Sequence, residues 1–183
     1  MLLNIGQRPD HGFDEPLGLL SDCHRRIEHF LLALCTIADR VAGAALEPGQ
    51  RAALDGALTY FATAAPRHTA DEEESLFPRL QAAHDPEAHA ALDLVGRLEH
   101  DHREAEQHHA VVDRMGRQWL DRDALSAADL RELQRRLAQL RSIYEAHIAA
   151  EDTPLFPAAA RVLSPHELEA VGREMAARRS VRG

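Results

Sequence analysis

The chain has 183 residues, a net charge of −9 with histidine neutral, 45% hydrophobic residues and 4% aromatics. That length makes one domain with a real core, and the acidic balance argues against nucleic acid and against an anionic membrane surface as partners. No apolar run approaches the roughly 20 residues that span a bilayer. The N-terminal stretch from Met1 to Pro16 lacks the basic region, apolar run and cleavage site of a signal peptide. Cys23 and Cys35 are the only cysteines, so no disulfide framework exists and a cytoplasmic location is the default expectation.

Residues 1–16 read as an irregular arm broken by Pro9, Gly12 and Pro16. A first helix is predicted from about Leu17 to Ala42, with Leu20, Ile27, Leu31, Leu34 and Ala38 as its apolar stripe. Gly43 and Glu47-Pro48-Gly49 close it. A second helix follows from about Gln50 to Leu80–Ala83, with a kink at Ala62–Pro66 because a proline removes a backbone bond and crowds the preceding turn. His84-Asp85-Pro86 is the turn. The third helix runs from about Pro86 to Leu120, and Asp121-Arg-Asp123 reads as a loop. Ser126-Ala-Ala-Asp129 resembles a capping box for the fourth helix, which carries Leu130, Leu133, Leu137, Leu140 and Tyr144 inward; Pro154 and Pro157 disturb its end. Ser164-Pro-His-Glu167 opens a short fifth helix over 165–178, followed by a frayed tail. The pattern predicts an all-α, up-down-up-down four-helix bundle over 17–160 with a short C-terminal extra helix in 161–183.

One phrase occurs twice. His68-Thr-Ala-Asp-Glu72-Glu73-Glu-Ser-Leu76-Phe77-Pro78 is matched by His147-Ile-Ala-Ala-Glu151-Asp152-Thr-Pro-Leu155-Phe156-Pro157. Each copy has an upstream companion, His24-x3-Glu28 and His102-x3-Glu106. The step from His24 to His102 and the step from His68 to His147 differ by a single position. This is a duplicated helical hairpin. His and Glu four apart share one helix face. Four inward pairs at mid-height place His24, His68, His102, His147, Glu72 and Glu151 around one site. Imidazoles with carboxylates suit iron, manganese or zinc, and six ligands suit two ions with shared carboxylates rather than one tetrahedral zinc. Glu28 and Glu106 either ligate directly, orient the ligand histidines, or pair with arginines. His109 reads as a packed core histidine, or as a group supporting the ligands. His29, His84, His89, His100, His108 and His166 read as surface. The Leu-Phe-Pro endings read as core plugs.

On these residues the chain resembles the hemerythrin-like (HHE cation-binding) domains. The resemblance implies a bundle holding a non-haem diiron centre, two iron ions with an oxo or hydroxo bridge. It implies small partners: oxygen, nitric oxide or peroxide. The implied activities are oxygen binding, oxygen or redox sensing, nitric-oxide handling, and iron supply to damaged iron–sulfur clusters. The oxygen carriers of the family place a second histidine where this chain has Glu106, which disfavours reversible oxygen carriage. They place the helix-4 carboxylate where this chain has Asp152, but internal symmetry with Glu72 selects Glu151. Sensing or handling of oxygen, nitric oxide or iron ranks first. A diiron redox enzyme and a structural or storage di-metal bundle, with zinc or manganese as alternatives, are the competitors. A weak homodimer is compatible with the sequence, and nothing in it demands one.

Overall fold

Pro16, whose fixed backbone angle suits a first helical position, opens α1 (Pro16–Val41). The helix stops where Ala42 and Gly43 turn left-handed, with φ of 51° and 79°. The Gly43 carbonyl then accepts the Leu125 amide at 2.9 Å, tying this turn to the one across the bundle. The computed structural model describes residues 10–83 and 85–180, without the side chains of 87–92 and 180. His84, His89 and residues 1–9 and 181–183 therefore lie outside what is described below.

Glu47 and Gln50 cap each other's backbone at the start of α2 (Pro48–Thr63). The expected bend falls at Ala64, and the rod continues as α3 (Ala65–Asp71) with Pro66 in its first turn. There the backbone widens into a π-helical segment, Glu72–Leu76, before α4 (Phe77–Ala82). Next, α5 (Pro86–Arg122) runs further than expected: Asp121 and Arg122 are helical, and the helix stops only at Asp123, whose φ is 56°. Ser126 caps α6 (Ala127–Ala150) by accepting the Asp129 amide. A second π segment, Glu151–Leu155, leads into α7 (Phe156–Val162). A reciprocal Ser164–Glu167 capping box opens α8 (Pro165–Ser180).

The rods pack in a ring in which α1 meets α2 and α6, and α5 meets the same two. This is the expected up-down-up-down bundle, and no strand occurs among the described residues. Two apolar clusters fill it. One, around Trp119, Leu58 and Leu137, occupies one end. The other, around Leu76, Phe77, Leu155 and Phe156, occupies the other end, so both Leu-Phe-Pro phrases are core plugs. On every rod the motif histidines fall between the two clusters. Among the described residues no helix is long and apolar enough to cross a membrane.

The C-terminal helix departs from expectation. The segment Arg178-Arg179 is not frayed. Arg178 and Arg179 reach Asp71, which is fully buried, at 3.0 and 2.7 Å. Arg79 grips Glu174 with both amino groups. These contacts fasten α8 along α3 and the first π segment. A stretch of arginines at a chain end looks solvated in sequence because its buried partner lies 107 residues away.

Candidate metal centre

His68 and Glu72 are one α-helical turn apart and meet, Nε2 to Oε1, at 3.1 Å. His147 and Glu151 repeat this at 3.2 Å. Glu72 and Glu151 stand at the first residue of each π segment, and both carboxylates are fully buried. There the backbone amide of Phe77 bonds the Glu72 carbonyl, and that of Phe156 bonds the Glu151 carbonyl, five residues back. Pro78 and Pro157 follow, each six residues after its glutamate. Neither can donate to the carbonyl four residues behind it, so the α ladder is already interrupted there.

His24 enters from α1. Its Nε2 lies 3.0 Å from Glu151 Oε2 and 3.8 Å from Glu72 Oε1. His102 enters from α5, with Nε2 3.3 Å from Glu72 Oε2 and 3.1 Å from His147 Nε2. The six side chains form two overlapping groups whose ligand atoms lie within 4.8 Å of one another. His24, His68, Glu72 and Glu151 form one; Glu72, His102, His147 and Glu151 form the other. Both carboxylates belong to both groups. The two oxygens of Glu72 face different histidines.

The outer nitrogens of two clustered histidines are held by the half of the chain that did not supply them. Asp152 accepts from His24 Nδ1 at 3.0 Å, and Glu73 accepts from His102 Nδ1 at 2.8 Å. Each acid directly follows a clustered glutamate. An acceptor on Nδ1 fixes the tautomer that leaves the Nε2 lone pair facing inward. Asp101 stands 3.5 Å from His147 Nδ1. The acid after each glutamate is visible in the repeated phrase, but its histidine partner lies on another helix, out of reach of any local signal.

Glu28 and Glu106 stay outside both groups, and both are exposed. The helix turn explains this. The buried stripes of α1 and α5 centre on Leu20, Ile27 and Leu31, and on Leu98, Ala105 and Val112. At 100° per residue the histidines sit about 40–60° off those stripes, and the glutamates four residues later sit about 80–100° off. His109 is packed: it stacks on Phe61 at 4.3 Å and bonds the Tyr144 hydroxyl at 2.8 Å through Nε2. His108 is buried, contrary to the surface placement expected, and meets Arg136 across the α5–α6 seam at 3.1 Å. His100 and His166 are exposed and His29 is half-buried. Cys23 is buried beside His24 but belongs to neither group.

Burial works against a proton on His24, yet the Asp152, Glu151 and Glu72 carboxylates outweigh it and push its pKa up to about 12. Burial raises Glu72, but His68, His102 and His24 more than reverse this and hold it well below the usual carboxylate range. Both oxygens of Glu72, both of Glu151, and His24 Nε2 are buried with no hydrogen-bond partner among the described residues. Buried uncompensated carboxylates are costly. Cations placed between them would satisfy every one of these atoms, so the donor set fits two metal ions.

The sequence matches the hemerythrin HHE cation-binding domain over residues 15–159. The chain belongs to this family. A protein of Haemophilus influenzae described as uncharacterised is 28% identical over 172 residues, covering 93% of each chain. In this hemerythrin-family bundle, the matched span runs from the start of α1 to within α7 and contains all six clustered side chains.

His109 gives the site's surroundings a pH signature. Burial, then the neighbouring His108, lower its pKa to about 4. Its unfolded value is near 6.5. The unfolded chain therefore binds the extra proton first as pH falls. The stability contributed by neutral His109 is complete above about 6.5 and is lost as pH falls toward 4. His109→Gln, which keeps a hydrogen-bonding end but does not titrate, is expected to show a shallower fall in melting temperature between pH 6.5 and 4 than wild type. Thermal melts of metal-loaded protein across that range check it, and parallel curves would refute the assignment.

Proposed function

We propose that this chain is a non-haem diiron protein that senses or handles oxygen, nitric oxide or iron. His24 and His68 would hold one ion, His102 and His147 the other, and Glu72 and Glu151 would bridge them. The observation that carries this reading is the sharing of two buried, otherwise unpartnered carboxylates between two histidine pairs. A pair of irons supplies one- and two-electron exchange with small oxidants and with nitric oxide.

The protein's own part is to hold and to exclude. Asp152 and Glu73 set the tautomers of His24 and His102. The Leu-Phe plugs and Phe156, which stacks on His24 at 5.5 Å, dry one side of the centre. Low dielectric strengthens every charge interaction inside. Because Glu28 and Glu106 point away, each ion would have two histidines and two shared carboxylates, which leaves coordination positions open. A cavity of about 10 Å³ lies against all four histidines, bounded by Tyr144, Ile27 and Ile148. That space favours a reactive centre over a purely structural clasp.

Metal analysis with an optical spectrum tests the proposal, first on aerobically purified protein, then after reduction and exposure to oxygen, nitric oxide and peroxide. Two irons per chain with bands that respond to one of these ligands is the expected result. Colourless protein carrying zinc, or one ion per chain, would overturn it.

A further inference from the structure

The duplication that builds the centre is broken one turn before the ligands. Ala65 lies one turn ahead of His68, and Tyr144 occupies the same place ahead of His147. A methyl group in the first half corresponds to a phenol in the second. Both residues line the small cavity against the four histidines. Both also line a larger groove of about 230 Å³ that continues outward past Phe61, Thr69, His102 and His109. The groove ends at exposed residues, among them Glu106. Tyr144 thus stands where the groove meets the cavity, and the small Ala65 leaves the passage beside it.

The phenol is not free to swing. His109 Nε2 holds its oxygen at 2.8 Å, and His109 is itself stacked on Phe61. A neutral imidazole carries one N–H. With that proton on Nε2, His109 donates to the phenol oxygen, and the Tyr144 hydroxyl proton is left to be donated elsewhere. Aligning His102 with His24 makes the buried Leu31 the first-half counterpart of His109. Neither the phenol nor its support is therefore duplicated; both occur on one side of the centre only.

Resting on the diiron reading above, we infer that the Tyr144 hydroxyl, positioned by His109, is the hydrogen-bond donor to a small anionic or diatomic ligand in the cavity, which enters through the groove beside Ala65. Tyr144 is the contact, and His109 is a positioning residue acting through it.

Azide is the probe. Metal content is measured first, then azide affinity and its infrared stretching band, on wild type, Tyr144→Phe, His109→Leu and His109→Gln. Tyr144→Phe is expected to keep its metal and to bind azide about tenfold more weakly, the worth of one lost hydrogen bond to a charged group. The wild-type azide band shifts in D2O, and this shift is absent in Tyr144→Phe. His109→Leu weakens azide binding and reduces the D2O shift, and His109→Gln restores both. Wild-type protein without metal would overturn the diiron reading and this inference together. Full metal loading with equal azide affinity and an equal D2O shift in Tyr144→Phe would overturn this inference alone. So would metal-loaded protein that binds no azide, or loss of metal in Tyr144→Phe.

Discussion

Glu151→Ala is expected to lower the metal content from about two ions per chain to below about one, because the carboxylate it deletes belongs to both groups and metal binding here is coupled to the folded donor set. His68→Ala removes a donor from only one group and is expected to lose less. Glu28→Ala, Glu106→Ala and His166→Ala, all at exposed positions, keep the full complement. Elemental analysis of the purified variants reads this directly. Equal metal-to-protein ratios across the set would sink the ligand assignment. The same geometry makes metal removal destabilising: Glu72 and Glu151 would be left buried with only the crowded histidines to balance them, so the melting temperature of the chelated protein is expected below that of the loaded form.

The second large effect lies away from the ligands. Replacing Arg178 and Arg179 together with alanine strands Asp71, which has no exposed surface and takes both guanidinium groups. Removing the partners of a buried charge costs several kcal/mol. Both arginines keep some contact with water, so about 2–4 kcal/mol is expected, which lowers the melting temperature of a chain this size by roughly 5–15 °C. Adding Asp71→Asn to the pair is expected to recover part of the loss, since the stranded charge is then gone. A fall of under about 2 °C in the double variant would show that the clamp holds nothing.

The bundle was legible because its signals are local. Apolar stripes at helical spacing, prolines at helix starts and capping residues at Ser126 and Ser164 each act within one or two turns. The clustering of the six side chains was legible because the chain states the phrase twice at nearly one spacing. What escaped depended on distance or on register. The contacts of Asp152 with His24 and of Arg179 with Asp71 join residues 128 and 108 apart. His108 reads as surface because it lies off the apolar stripe of Leu98, Ala105 and Val112, and the seam with α6 buries it beside Arg136. Glu28 and Glu106 repeat the His-x3-Glu spacing of the clustered pairs. Only the direction of the buried stripe, some 80–100° away, separates them from the clustered glutamates. The π segments were half visible: prolines at one offset after both glutamates marked a broken ladder without saying that the turn would widen.

The reciprocal anchoring of the halves has a consequence for how such a chain can be cut. Residues 10–83 supply His24, His68 and Glu72, but the nitrogen that orients His24 is held by Asp152, and the fourth donor of that group is Glu151. Residues 85–180 are short of Glu72 and Glu73 in the same way. Neither fragment owns a finished site, and each carries what the other lacks. Two separate polypeptides divided at position 84 would share the apolar clusters, the clamp of Arg178 and Arg179 on Asp71 and, on the diiron reading, the ions as a third component of the assembly. By the same logic, a single hairpin of half this length would complete its centre only by pairing with its own twin.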